Sequence, residues 1–402
     1  MGAAWVDTAG EPFNAHAGGL TVDQQTGKFY WFGEYKTEDQ HEGGGVSVYS
    51  SSDLATWDFG GLALNNQQYT RLAQGFATAE KIAGPYTFVK ACRPLDTPSQ
   101  DFGLFTDYKS GKSYALYSSG DGLDGRDTFI GAFNDELTQV VEVTHCFRKY
   151  DLEAPTIIQT DDSYFAIMSH KTGYRPNSTS SHDIFLDPRI IAYPVGLDVV
   201  AFRADSLRGP WSQPFFVAPP YTRTFSTQSG FSFRVEGSKK TSYLYMGDQW
   251  CQNAIWESRN VWLPMEIDEA KKKLRLVWHD VFDLNVRTGD WAPVQGQTYF
   301  SKDALFHGDA FLQEANFASH QLIATGIYGD DSGVTFTVDG QGGHQWVSFH
   351  YQNIDDMGYG DQRKHFRRLV HVVAPLLTVH QRMGSLIESA GPGSCGESAV
   401  SL

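Results

Sequence analysis

Four short stretches of the sequence share one pattern, in which a small or polar residue is followed by alternating aromatic and aliphatic residues. They are GKFYWFGEY from Gly27, GKSYALYSS from Gly111, DSYFAIMSH from Asp162 and TSYLYMGDQ from Thr241. Each has the length and composition of a β-strand that is buried on both faces. Polar turns that close on an aromatic residue follow such strands, at SSDLATW, AEKIAGPY and ADSLRGPW. Strand, turn and aromatic anchor recurring at intervals of roughly 50 residues predict an all-β propeller, with a β-sandwich as the alternative.

The composition agrees with a strand-rich fold and restricts the partners. Aromatic residues make up 14% of the 402 residues, and the chain contains 40 glycines. Runs of helix-favouring Ala, Leu, Glu and Lys are scarce, and the length predicts two domains. The formal net charge of −15 argues against nucleic acid and against an anionic membrane, because both require a basic footprint. Neutral ligands such as sugars remain open.

The sequence shows no sign of membrane insertion or of a metal site. No apolar run approaches the roughly 20 residues that span a bilayer, and MGAAWVDTAG lacks the basic start and apolar centre of a signal peptide. The four cysteines, Cys92, Cys146, Cys251 and Cys395, lie far apart, without the paired spacing of a zinc site. Disulfides and free buried thiols are both open.

The strand pattern changes near residue 292, where WAPVQGQTYF has the character of a linker. Beyond it, GVTFTVDGQGGHQWVSFHY alternates apolar residues on both sides of a Gly-rich turn, which predicts a hairpin with one buried face. The chain end is small, polar and rich in Gly and Ser, which is typical of disorder. We therefore predict a propeller at 1–291, a second β-domain at 292–375 and a disordered tail at 376–402.

One carboxylate stands out, in KYDLEAPTII, where Glu153 lies among apolar residues and a proline. Such neighbours solvate a charge poorly, and a carboxyl group whose pKa is raised can act as a general acid near neutral pH. A solvated loop glutamate is the alternative reading of this position alone.

Several motifs, in order along the chain, resemble glycoside hydrolase family 43 and, more closely, its exo-β-1,3-galactanases. They are NAHAGGLTVDQQTGKFYWFGEYK, GVSVYSSSDLATW, LEAPTII, FSTQSG and YMGDQW followed by SRNVWLP. The resemblance spans about residues 5–290 and implies a five-bladed propeller. A shorter stretch, from about 298 to 370, resembles the β-sandwich carbohydrate-binding module that follows the catalytic domain in fungal members.

The resemblance implies roles for three residues. The glutamate of the EAP motif, here Glu153, is the general acid, and Asp101 in PSQDFGLF tunes that acid and positions the sugar. Most of the family also carries a base aspartate in the first blade, where this chain has no carboxylate. The galactanase-like branch shares that absence, and Gln228 of FSTQSG takes its place, either orienting the attacking water or acting through its imidic tautomer.

Five further residues are candidates for substrate binding, with no metal or organic cofactor required. Glu34 ends the first repeat strand, where a propeller presents side chains to ligand. His16 lies in a Gly-rich turn, where a histidine often makes structural hydrogen bonds. Trp250 either stacks on a sugar or packs between blades. Asp248 and Arg259 form a pair that either binds the sugar or supports the site. The candidates are His16, Glu34, Trp250, Asp248 and Arg259.

Two places depart from the family pattern. Only about ten residues separate GLALNN from FATAEK, where the family has an inner strand pair and a Glu-Arg-Pro-Lys motif, so we expect an incomplete second blade that exposes its neighbours. Conversely, residues 178–198 read as an insertion.

Together these observations predict a glycoside hydrolase that releases galactose from β-1,3-galactan by single displacement with inversion. We expect a secreted monomer that acts on a polysaccharide. The alternatives are a carbohydrate-binding protein without turnover and an arabinofuranosidase or xylosidase of the same family. The absent first-blade aspartate argues against the last alternative.

Overall fold

The computed structural model places nearly all regular structure in antiparallel strands. It describes residues 5–37, 44–65, 74–122, 125–170, 199–219, 222–250, 255–294, 304–308, 310–314, 321–325, 333–339, 343–353, 362–372 and 376–382. The predicted insertion at 178–198 lies outside these residues. Contacts divide the chain into one unit of Ala4–Trp250 with Ser258–Pro293, and another of Met1–Ala3, Cys251–Glu257 and Val294–Leu402.

In its described residues, the larger unit contains four sheets of four strands, each a simple up-and-down meander. The first sheet consists of β1 (His16–Val22), β2 (Phe29–Tyr35), β3 (Gly45–Ser51) and β4 (Asp58–Asn65). A two-stranded sheet follows, formed by β5 (Gln74–Thr78) and β6 (Thr87–Cys92). The second four-stranded sheet consists of β7 (Phe102–Thr106), β8 (Ser113–Gly122), β9 (Gly125–Phe133) and β10 (Val140–Phe147).

The remaining strands of this unit continue the same pattern. The third sheet consists of β11 (Leu152–Gln159), β12 (Tyr164–His170), β13 (Val200–Ala204) and β14 (Phe215–Phe216). The fourth consists of β15 (Gln228–Glu236), β16 (Thr241–Gln249), β17 (Arg259–Asp268) and β18 (Lys273–Leu276), and β19 (Phe282–Leu284) pairs with β20 (Trp291–Pro293). Helix in the described part of this unit is limited to Pro94–Asp96 and Arg223–Ser226.

The four repeated stretches of the sequence are the second strands of the four sheets, β2, β8, β12 and β16. Residues Tyr164–His170 of β12 are all buried, as the pattern predicts. Strand β2 instead alternates buried and partly buried residues along most of its length, so that one of its faces is only partly covered. The all-β propeller prediction is confirmed, whereas the number of five blades stays a prediction.

Apolar side chains join neighbouring sheets into a ring-like series. One core packs the second sheet against the third, through residues such as Leu116 and Met168, and another packs the third against the fourth, through Phe165 and Leu263. Tryptophans then join the fourth sheet to the first, because the rings of Trp31 and Trp262 lie 4.7 Å apart. Trp262 is 6% exposed, so this tryptophan packs between the two sheets.

The short segment between the first and second four-stranded sheets has one strand pair in its described residues, as expected for an incomplete blade. Phe76 of β5 contacts Phe133 of β9, and Tyr86 contacts Phe32 of β2. Phe102 and Leu104, on one face of β7, are 41% and 55% exposed. The predicted exposure of neighbouring faces therefore holds for this strand.

The smaller unit has seven described strands in three sheets. They are β21 (Leu305–His307), β22 (Ala310–Glu314), β23 (Gln321–Thr325), β24 (Gly333–Asp339), β25 (Gly343–Asn353), β26 (Gln362–Val372) and β27 (Leu376–Arg382). Strand β24 pairs with β21 and β27, and β25 pairs with β26. The predicted hairpin of β24 with β25 is therefore wrong, because alternation within a strand identifies the strand but not its partner.

Strand β27 also corrects the predicted start of the disordered tail. Its seven residues pair with β24 in unbroken register, so residues 376–382 form a strand and are not part of a disordered tail. The pairing partner lies some 40 residues away, which a composition argument does not detect. Residues 383–402 lie outside the described residues.

Two general properties complete the fold. In the part of the chain described here, no helix is both long and apolar enough to cross a membrane. Cys92 and Cys146 are free thiols, and burial raises the pKa of Cys146 to about 12. The disulfide alternative is thus excluded for these two cysteines, while Cys251 and Cys395 lie outside the described residues.

Close contact between β1 and β2 generates a testable expectation for stability. A Cβ atom added at Gly33 would lie 2.4 Å from the backbone carbonyl carbon of Ala15, whereas one added at Gly19 would meet only Phe231, at 3.6 Å. We expect Gly33→Ala to lower the free energy of unfolding by about 1–3 kcal/mol, because the backbone of Ala15, unlike a side chain, cannot rotate away from the added methyl group. Gly19→Ala, the matched control, should change it by less than about 0.5 kcal/mol. Equal effects in urea denaturation would contradict this packing.

Candidate active site

Glu153 is placed by a local irregularity at the start of β11. The pairing of β11 with β12 shifts between Glu153 and Thr156, and Ala154 adopts a positive φ of 51°. Such a bulge re-aims the side chain beside it. Glu153 is only 8% exposed, so the alternative of a solvated loop glutamate is wrong.

Two donors hold the buried carboxylate. Arg126 Nη1 donates to Glu153 Oε2 at 2.6 Å, and Gln228 Nε2 donates to Glu153 Oε1 at 2.9 Å. Burial, followed by the charge of Asp101, raises the pKa of Glu153 to about 7, against the opposing effects of Arg126 and Gln228. The group can therefore carry or release a proton near neutral pH, which is what a general acid requires.

Asp101 lies just before β7 and is oriented by donors from three other strands. Its Oδ2 accepts from Ser118 Oγ at 2.7 Å, from the Ala154 amide at 3.1 Å and from Arg126 Nη1 at 3.3 Å. The Ala154 contact ties Asp101 directly to the backbone beside Glu153. The two carboxylates thus share one arginine, and their mutual repulsion favours the protonated form of Glu153.

Gln228, the first residue of β15, has a defined amide orientation. The indole Nε1 of Trp250 donates to Gln228 Oε1 at 2.7 Å, and an indole nitrogen can only donate. Gln228 Nε2 therefore faces Glu153 and also donates to Ser169 Oγ at 3.0 Å. Trp250, predicted to stack on sugar, is thus also the residue that orients Gln228.

His16 and Asp248 form a buried pair behind Trp250. His16 is 0% exposed and Asp248 is 4% exposed. His16 Nδ1 lies 3.3 Å from Asp248 Oδ1, and the amide of Ala17 donates to Asp248 Oδ2 at 2.9 Å. The imidazole centre lies 5.6 Å from that of the Trp250 ring. This burial favours a supporting role, in which the pair holds the strand ends that carry Trp250.

Arg259 and Asp248 do not share a face of their sheet. Asp248 opposes Asn260 across the strands, and Arg259 opposes Gln249. Directly opposed residues point to one face and successive residues alternate, so the side chains of Asp248 and Arg259 point in opposite directions. Asp248 pairs with His16 instead, and substrate binding by Arg259 stays a prediction.

Glu34 is the most open of the predicted binding residues, with a side chain that is 53% exposed. It opposes His16 across β1 and β2 and forms an ion pair with Lys36. Lys36 Nζ in turn lies 5.6 Å from the centre of the Trp250 ring. Glu34, Lys36 and Trp250 therefore form a polar and aromatic edge next to Gln228, and such an edge suits sugar hydroxyls and an apolar sugar face.

Sequence reasoning missed Arg126, Ser118, Ser169 and Lys36. No spacing rule marks Arg126, Ser118 and Ser169, because their partners come from other strands. Lys36 pairs with Glu34, two residues earlier, and its place beside Trp250 comes from the fold. Among the described residues, there is no group of three or more His, Cys, Asp or Glu side chains that could hold a metal ion. The chemistry available here is that of two carboxyl groups, an amide and an arginine.

Comparison with known proteins connects this geometry to an enzyme family. No family model matches the sequence, and no curated protein matches it. Among solved structures, a variant of the exo-β-1,3-galactanase from Phanerochaete chrysosporium with β-1,3-galactotriose is similar over 95% of each chain, with 25% identity and a TM-score of 0.76. The exo-β-1,3-galactanase from Clostridium thermocellum shares the fold over 92% of this chain and 86% of its own, with 20% identity and a TM-score of 0.62.

A β-1,3-galactosidase of glycoside hydrolase family 43 shares the fold over 70% of this chain and 99% of its own, with 23% identity and a TM-score of 0.57. In fold, the chain is similar to the glycoside hydrolases of family 43. The chain therefore carries its buried carboxyl, Glu153, on a propeller fold similar to that of galactanases. The resemblance of the sequence motifs to family 43 galactanases is confirmed, whereas the resemblance of the second β-domain to a carbohydrate-binding module stays a prediction.

The raised pKa of Glu153 has a consequence for stability. The pKa is raised from 4.5 to about 7 in the folded protein. The contribution of Glu153 to the free energy of unfolding is therefore fully present below pH 4.5 and is lost as the pH rises through 7. Glu153→Gln has no carboxyl group to ionise and should not lose this contribution. The free energy of unfolding of the mutant minus that of the parent hydrolase should therefore be higher at pH 8 than at pH 4.5, by up to about 3 kcal/mol at about 1.4 kcal/mol per pKa unit. Urea denaturation at both pH values measures this change. A mutational effect that is the same at the two pH values would contradict a raised pKa.

Proposed function

We propose that the protein is an exo-acting β-1,3-galactanase that releases galactose from galactan with inversion of the anomeric configuration. The observation that carries this proposal is the buried Glu153, which contacts Arg126 and Gln228 and lies beside the charge of Asp101. The likeness to galactanases and galactosidases supports galactan as the substrate class.

Each group has one step in this reaction. Glu153 donates its proton to the glycosidic oxygen as the bond from that oxygen to the anomeric carbon breaks. Water forms the new bond to that carbon from the opposite side and releases a proton, and Glu153 regains a proton from solvent. The charge of Asp101 raises the pKa of Glu153.

Gln228 is the group that we assign to the attacking water. Its Nε2 is occupied by Glu153 and Ser169, and its Oε1 accepts one hydrogen bond from Trp250. An amide oxygen accepts two hydrogen bonds, so the second lone pair of Oε1 is suited to orient a water. Trp250 thereby serves the reaction by fixing which end of the amide faces that water.

The edge formed by Glu34, Lys36 and Trp250 is proposed to bind the terminal sugar. In an exo-acting enzyme the non-reducing end must be recognised, and a carboxylate beside an ammonium and an indole ring offers acceptor, donor and apolar surface together. We further propose that the smaller unit binds carbohydrate, and that the protein acts outside the cell as a monomer.

A binding protein without turnover is the second candidate that the sequence left open. Recognition of a neutral sugar gains nothing from a carboxyl group whose pKa is raised by burial and by a second carboxylate, because both effects cost stability. The geometry around Glu153 therefore favours catalysis over binding alone.

The proposed function is tested with β-1,3-galactotriose, with β-1,4-galactobiose and arabinan as comparison substrates. We expect ¹H NMR to show α-galactose released first from the galactotriose, and Glu153→Gln to slow that release by about 10²–10⁴-fold, because its amide cannot donate the proton. Glu142→Gln, a change of an exposed glutamate on β10 that pairs with Arg208, is the matched control and should retain activity. Unimpaired release by Glu153→Gln, or cleavage of arabinan alone, would contradict the proposal.

A further inference from the structure

Arg126 lies between the two carboxylates of the site and is 6% exposed. A single nitrogen, Nη1, contacts Glu153 Oε2 at 2.6 Å and Asp101 Oδ2 at 3.3 Å. Arg126 thus forms a strong hydrogen bond with Glu153 and a longer one with Asp101. The unequal distances place Nη1 of Arg126 closer to Glu153 than to Asp101.

The backbone of Arg126 is fixed independently of its side chain. Its amide donates to Asp151 Oδ1 at 3.1 Å, and Asp151 Oδ2 lies 3.8 Å from His170 Nε2. The start of β9 is therefore tied to the chain just before Glu153. A guanidinium on a fixed backbone changes partner by side-chain rotation over short distances, without movement of the sheet.

Charge balance around Glu153 distinguishes the two protonation states. The groups around it are Asp101 before β7, Arg126 on β9, Asp151 before β11, Ser169 on β12 directly opposite Glu153, and Gln228 on β15. His170, the next residue of β12, contacts Asp151. Within the triad of Glu153, Asp101 and Arg126, an ionised Glu153 leaves one excess negative charge. A protonated Glu153 leaves Asp101 and Arg126 as a neutral pair, so proton uptake frees Arg126 to move to Asp101.

We propose that Arg126 is a positioning residue of the general acid, which binds Glu153 while Glu153 is ionised and transfers to Asp101 when Glu153 is protonated. This inference rests on the proposed function for its catalytic meaning. Arg126 then stabilises the carboxylate that remains after proton donation, and Asp101 stabilises Arg126 while the acid is loaded. A single arginine nitrogen shared by both carboxylates makes this exchange a short movement.

The proposal is tested by titrating Glu153 directly in the full-length protein. In ¹³C NMR of glutamate-labelled protein, the Glu153 carboxyl resonance is the one that Glu153→Gln removes. We expect Arg126→Met and Arg126→Gln to raise the Glu153 pKa by at least about one unit, because a neighbouring opposite charge typically shifts a pKa by about 1–3 units. Arg126→Lys keeps the positive charge and should leave the Glu153 pKa close to that of the parent protein. Asp101→Asn should lower the Glu153 pKa.

Arg208→Met is the matched control. Arg208 is 63% exposed and pairs with Glu142 on the outer strand of the same sheet, so its removal takes away one positive charge without touching the triad. It should leave the Glu153 titration unchanged. In the kinetics of galactan hydrolysis, the basic limb of the kcat/KM profile should move upward for Arg126→Met and remain in place for Arg208→Met.

The outcomes separate this inference from the proposed function. An unchanged Glu153 pKa in a folded Arg126→Met or Arg126→Gln protein would overturn it, as would loss of folding in both variants, which would make Arg126 purely structural. Because the titration needs no turnover, the expected shifts in a protein that does not cleave galactan would contradict the proposed function and support the coupling of the three residues.

Discussion

The burial of one carboxyl group is the constraint on which the rest of the site depends. Removing Glu153 from water disfavours its charge, and the nearby Asp101 disfavours it further. Without neighbouring hydrogen-bond donors, such a carboxyl group would stay protonated. Arg126 and Gln228 oppose that tendency by donating to both oxygens. The balance keeps the pKa close to neutral, so that the proton can leave and return.

The propeller supplies this balance because it brings the ends of distant strands together. Asp101 precedes β7, Arg126 is the second residue of β9, Glu153 lies in β11 and Gln228 begins β15. The apolar cores between adjacent sheets hold these strand ends in place. Stability and chemistry are thereby separated, since the aromatic and aliphatic residues fix the sheets while the polar residues project from their ends.

Local patterns explain what the sequence predicts well. The four central strands are visible because alternation is a property of neighbouring residues, and the apolar surroundings of Glu153 are visible for the same reason. The role of Arg126 cannot be predicted from local sequence, because its carboxylate partners lie 25 and 27 residues away. The hydrogen bond from Trp250 that orients Gln228 cannot be predicted from the sequence pattern either. The pairing partners of β24 and β27 depend on how the sheets assemble, which periodicity does not encode.

The central claim is that Glu153 is a general acid with a raised pKa, and the pH dependence of kcat/KM on β-1,3-galactotriose tests it most directly. This profile reports the ionisation of the free enzyme. With the pKa of Glu153 near 7, activity should stay high through mildly acidic pH and fall tenfold per pH unit above about pH 7. A fall that begins near pH 4.5, the ordinary range of a glutamate, would contradict the account.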